Sequence, residues 1–178
     1  NQVVDAEILD GTDQYLVPGL VDAHIHLFQS GGIYTRPDAI DLTKFRPYDE
    51  ERKWLRNNAT DFLQRYLRCG ITSVLDAGGP MSNYEIRDEN KHLPTTASLF
   101  VTGPLISTYQ PDAFKIDDPP IIKINSSTEA IELVQKQIPL KPDFIKIWYI
   151  ILPGQSAEST YEIVEATINE SHANNIRV

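Results

Sequence analysis

His24 and His26 stand on either side of one isoleucine at the end of the apolar run "LVPGLVDAHIHL", in a chain with only four histidines. Residues two apart on a strand project to the same face, so the two imidazoles point together and Ile25 points away. Two imidazoles sharing a face can bind one divalent metal ion, each through a ring nitrogen. Each ring then needs an acceptor behind it to set its orientation, and Asp22 is the candidate as long as the strand stays regular. A bare His-x-His also arises by chance, and two hydrogen-bonded core histidines would leave the same letters. At the level of spacing both readings stand.

Lys146 is the second residue whose surroundings suggest chemistry. It lies inside the otherwise apolar run 144–152, where an unpaired ammonium is expensive to bury and tends to lose its charge. A neutral amine can react with carbon dioxide, and the resulting carbamate has two oxygens able to bridge metal ions about 3.5 to 4 Å apart. The alternative is a lysine that extends its head to water along an apolar stem. Tyr34 and Arg36, in "GGIYTRPD", follow the histidines, where a loop could contact substrate and Arg36 could grip a carboxylate with both arms. Stabilisation of the loop itself is the equal alternative. Tyr149 could donate a hydrogen bond to a carbonyl oxygen, or simply pack. His92 and His172 read as a loop residue and a solvent-facing helical residue, and neither is taken as a ligand.

The elements that must position these residues alternate apolar runs with amphipathic stretches, the pattern of βα units on a parallel sheet. Strand one covers residues 20–27. One helix is expected over 49–70, with Trp54, Leu55, Phe62, Leu63, Tyr66 and Leu67 inward and Gly70 ending it. Strand two is "ITSVLDAGG", and Ser82 with Glu85 has the spacing of a capping box for the next helix. Strand three is "TASLFVTG", followed by a proline-rich loop over 103–120. Ser126 and Glu129 announce a third helix, with Ala130, Ile131, Val134 and Ile138 inward. Strand four is "DFIKIWYI". A fourth helix is expected from Ser159 and Glu162, with Ile163, Val164 and Ile168 inward, and "IRV" at 176–178 reads as the start of a fifth strand. Four such units make half of a (β/α)8 barrel, whose full length is about 250 residues. A doubly wound open sheet alternates in the same way, but no glycine-rich phosphate turn follows strand one, and "DAGGP" reads as a plain turn.

Composition narrows the function classes. The 178 residues are 41% hydrophobic and 23% charged, ordinary for a globular protein that buries a core. Sixteen basic against 25 acidic residues give a net charge of -9 with no basic run, which argues against nucleic acid as a partner and for a small-molecule substrate. No apolar stretch reaches the roughly 20 residues that span a bilayer, so no membrane role is expected. The lone cysteine, Cys69, excludes an intrachain disulfide and a cysteine-based zinc site. Compartment stays open: the cytoplasm is favoured, and the periplasm remains if a signal segment was removed.

"LVPGLVDAHIHL" resembles the strand-one signature of the amidohydrolase superfamily, in particular its imidazolonepropionase-like metal-dependent hydrolases, and "PDFIKIWY" resembles that family's fourth strand. The resemblance implies that residues 18–178 form the first half of an amidohydrolase-type barrel and that residues 1–17, with "VVDAEIL", are the remnant of a small β-sandwich and linker. It implies metal ligation by His24, His26 and Lys146, the last as a carbamate formed with carbon dioxide. One or two divalent ions, zinc in the first place, would then activate a hydroxide for attack on C–N bonds of amides, cyclic amides or dipeptide-like substrates. Further histidines and the general base come, in that family, from later strands, so the catalytic base is expected outside this chain. Self-association, or association with the rest of the barrel, is the partner expectation. A non-catalytic half-barrel module, and the same fold acting on lactones or phosphotriesters, are the alternative readings.

Overall fold

Parallel strands cannot be joined by a tight turn, so each must be followed by a crossover, and here the crossovers are mostly helical. In the computed structural model, which describes residues 7–29 and 36–178, the order is β1 (Leu20–Ile25), α1 (Tyr48–Asn57), α2 (Ala59–Arg68), β2 (Ile71–Asp76), α3 (Asn83–Asn90), β3 (Ser98–Val101), β4 (Leu105–Ser107), β5 (Ile121–Lys123), α4 (Ser127–Gln137), β6 (Ile147–Trp148) and α5 (Tyr161–Ala173). The strands form two parallel sheets, β1-β2-β3 and β5-β4-β6. β3 passes through Gly103 into β4, and the Asp143 N–H to Val101 O and Ile106 N–H to Lys146 O bonds, each 3.0 Å, lay the fourth sequence strand beside this third one. The fold is therefore α/β with its four principal strands neighbouring in chain order.

One face of these strands is covered by helices. Ile25, Leu27, Val74, Leu99 and Val101 pack with Leu55, Ala59, Phe62 and Leu63 of α1 and α2 and with Tyr84 and Ile86 of α3. A second cluster joins Ile106 and Ile145 to Ala130, Leu133 and Val134 of α4 and Ile163 of α5. The opposite face carries His24, Ser98 and Phe100, all exposed. Within the described residues no helix is long and apolar enough to cross a membrane.

Several elements differ from their sequence expectation for local reasons. The single helix over 49–70 is two, broken at Asn58, whose side-chain amide donates to Trp54 O at 2.7 Å while its backbone leaves helical geometry. Its end is as expected, with Gly70 at φ +80. The stretch expected as a proline-rich loop holds β4, and β5 begins just past it. Both are three-residue strands with no readable period, made regular because β4 has a partner on each side. Only Ile147–Trp148 of the fourth sequence strand has full ladder geometry. Ser82 makes no capping bond; the Asp118 carboxylate, from 36 residues further on, accepts from Met81 N at 2.7 Å and Ser82 N at 3.1 Å instead. Ser126 does cap α4, accepting from Glu129 N at 3.2 Å, and the Glu129 carboxylate accepts from Asn125 N at 2.9 Å. Before α5 a short 3-10 turn over Ala157–Thr160 is capped by Ser156, so the helix starts at Tyr161 and Ser159 donates to Ser156 O. Residues 176–178 are not a strand, although Arg177 O accepts from Ile145 N at 2.7 Å. Of the strand-like segment at 3–9, only residues 7–9 are described, and they are exposed and irregular.

Candidate active site

His24 lies in β1 and His26 directly past its end, and their rings meet on one side of the strand. The ring centroids of His24 and His26 are 5.2 Å apart and the planes are nearly perpendicular. Ile25 and Leu27, in between and beyond, are buried against the helices, which turns both imidazoles toward the helix-free side. Their environments differ. His24 is exposed, whereas His26 is half-buried, in edge contact with Phe28 at 5.8 Å, and its Nδ1 donates to Gly78 O at 2.9 Å. Burial lowers the pKa of His26, the Gly78 bond opposes this, and the positive charges of His24, Lys146 and Arg36 lower it further. His26 is thus biased toward the neutral imidazole that can act as a donor.

Lys146 reaches the same side from the fourth sequence strand. Its neighbour Ile145 is buried in the α4–α5 cluster, so Lys146 projects away from the helices, in step with Trp148, which packs on the cluster of Phe28, Leu105, Phe114 and Ile121. The side chain is half-buried, and its charge is one of those felt by His26. Asp22 does not stand behind an imidazole: β1 is irregular between Asp22 and Ile25, and the Asp22 carboxylate accepts from the backbone N–H of His24 at 3.2 Å. Arg36 presents Nε and Nη2 to the two oxygens of Asp38, each at 2.9 Å, so its fork is engaged within its own loop. The Tyr149 hydroxyl donates to Ala157 O and accepts from Thr160 Oγ1 at 2.8 Å, tying the segment after β6 to the start of α5. Tyr34 lies outside the described residues. His92 lies in the turn after α3 and His172 in the last turn of α5.

Sequence reading passed over Asp76. It ends β2, is 1% exposed, and its carboxylate accepts from Asn83 Nδ2 at 2.5 Å and from Gly78 N at 3.3 Å. Burial pushes its pKa up to about 7 against the pull of these donors and of the Leu27 N–H. The available signal was an aspartate closing a strand, separated by one residue from two consecutive glycines.

Two imidazoles and one lysine are a coherent but incomplete donor set for a metal. Among the described residues no cluster of three or more His, Cys, Asp or Glu side chains is assembled.

No protein-family profile matches the chain, and no curated protein matches it. Solved structures do. An amidohydrolase aligns over 99% of this chain and 46% of its own, with a TM-score of 0.67 at 18% identity. A Xaa-Pro dipeptidase with methionine bound in its active site aligns over 89% of this chain and 41% of its own, with a TM-score of 0.61 at 21% identity. The ochratoxinase of A. niger aligns over 89% and 41%, with a TM-score of 0.58 at 16% identity. The chain has the fold these structures share, and it spans under half the length of each.

Proposed function

We propose that this chain is the first half of an amidohydrolase-type (β/α)8 barrel and supplies part of the metal centre of a hydrolase acting on C–N bonds. The observation that carries this reading is the convergence of His24, His26 and Lys146 on the helix-free side of a parallel sheet. The likeness in fold to an amidohydrolase and a Xaa-Pro dipeptidase supports dipeptide-like or amide substrates. His24 and His26 would hold a divalent ion, zinc in the first place, through one ring nitrogen each, and Lys146 as carbamate would complete or bridge the site. Such an ion would supply Lewis acidity and a lowered water pKa. The chain's own contribution is orientation: β1 holds both rings on one face, Gly78 O keeps the proton of His26 on Nδ1, and Phe28 shields the inner ring from water. Arg36 would receive a substrate carboxylate only by sharing or leaving Asp38. The general base belongs to strands beyond this chain.

Lys146 tests the proposal in the complete protein. Lys146→Ala should lose metal and hydrolysis of Xaa-Pro dipeptides together, with partial recovery on adding short carboxylates. Full activity without them would remove Lys146 from the centre. Turnover of lactones or phosphotriesters instead of amides would keep the fold and the ligands and replace the substrate class. The exposed helix-free face with Phe100 and Val21 favours, as the second reading, a non-catalytic module that binds through this face; a complete protein without metal would support it.

A further inference from the structure

We infer that Asp76 and Asn83 are positioning residues for His26, acting through the carbonyl of Gly78, and that "DAGGPMSN" is built for this purpose. The inference rests on the metal-site reading of His26 only for its functional consequence.

The segment after β2 is held at every step. Ala77 N donates to Ile25 O at 2.8 Å, Gly78 N to Asp76 Oδ1 at 3.3 Å, and Gly79 N to Gly103 O at 3.0 Å. The other oxygen of Asp76 accepts from Asn83 Nδ2 at 2.5 Å, in a site where both side chains are 1% exposed. With its two neighbours pinned, the Gly78 carbonyl has one direction left, and it lies 2.9 Å from Nδ1 of His26. A carbonyl oxygen only accepts, so the neutral ring must carry its proton on Nδ1 and leave the Nε2 lone pair free. Free Nε2 is the atom a metal needs.

The glycines make this arrangement possible. Gly78 sits at φ +138, and a Cβ there would lie 2.4 Å from the Leu105 side chain. A Cβ at Gly79 would lie 2.1 Å from Asn83 Nδ2, in the path by which Asn83 reaches Asp76. Asp76 itself faces the helical layer with Val74, two residues before it, and so cannot touch a ligand on the open side. Its route to the site is through the loop.

The test is solid-state 15N NMR of histidine-labelled chain at pH 8, which reads the protonation of each ring nitrogen regardless of assembly size. The His26 signals are assigned by their loss in His26→Gln. In the wild-type chain His26 is expected as Nδ1–H alone. In Asn83→Ala and in Asp76→Asn, which offers one acceptor where two donors converge, a mixture of tautomers is expected at His26 and no change at His24. The swap Asp76→Asn with Asn83→Asp restores a donor–acceptor pair and should return His26 to Nδ1–H. Zinc binding by the single variants should weaken about 10- to 100-fold and recover in the swap. An unchanged His26 tautomer in folded Asn83→Ala and Asp76→Asn overturns the positioning role, as does unfolding of all three variants, which would confine the pair to the fold. A tautomer that responds as expected in a chain that binds no zinc would leave the positioning intact and refute the metal reading instead.

Discussion

The two faces of the parallel sheet are made from the same strands and differ in nearly every physical respect. On the helical side, Leu27, Val74 and Val101 are fully buried, and the buried polar groups Asp76 and Asn83 are paired with each other. On the other side, His24 and Ser98 are exposed, Val21, in register with Ser73 and Ser98, keeps 60% of its surface and Phe100 39%. Along β1–β3 the helical face holds the core and the other holds the candidate chemistry, while beside β4 the cluster of Phe28, Leu105, Phe114 and Ile121 covers the helix-free side. His26 stands between the two faces, its ring toward the open side and its Nδ1 tied to a loop anchored in the core. The contrast teaches that the geometry of one face of a sheet can be set by groups that never reach it.

The largest effect should come from the covered face. Leu63→Ala, in the centre of the first core cluster, is expected to cost roughly 2 to 5 kcal/mol in denaturant unfolding, while truncation of Val21 to Ala should be nearly silent. Equal losses would mean that the open face is also part of the core. Next in size is a pH effect from Asp76. Its folded pKa is raised to about 7 from an ordinary 3.8, so the folded chain holds this proton more firmly. Stability from this group is then greatest at the acid end and falls as pH rises from about 4 to 7, by at most about 1.4 kcal/mol per pH unit. The difference between wild type and Asp76→Asn in melting profiles taken across that window should show this slope; a flat difference would contradict the desolvation of Asp76.

Zinc calorimetry sharpens the comparison on the open side. His24→Ala and His26→Ala should each weaken binding tenfold or more, about 1.4 kcal/mol, and His92→Ala and His172→Ala should leave it unchanged. Parallel losses in all four would dissolve the assignment. The smallest change in stability is expected for Val21→Ser, on the open face, within about 0.5 kcal/mol. Because exposed apolar surface of this kind promotes association, light scattering should nonetheless show weaker self-association for that variant than for wild type. A wild-type chain that stays monomeric over a wide concentration range would show that the open face needs no cover.

Much of the architecture is legible locally. The β/α alternation follows from apolar periodicity, the stop at Gly70 from the need for positive φ, and the Ser126 cap from a side chain three residues from the amide it accepts. The shared side of His24 and His26 follows from the two-residue period of a strand alone. These features depend on interactions within a few residues, and a sequence carries such information openly. What needed tertiary structure was every contact made across the chain. Asp118 caps α3 from a distant loop, in place of Ser82. β4 exists because β5 and β6 flank it. Arg36, read as a carboxylate grip, closes on Asp38, and Tyr149 ties down the approach to α5. Gly78 meets His26 across 52 positions. Each of these is decided by which groups folding brings within hydrogen-bond range, and once a polar group is buried it must take the partner that is there. Residue types and spacing set the candidates; the packed chain chose among them.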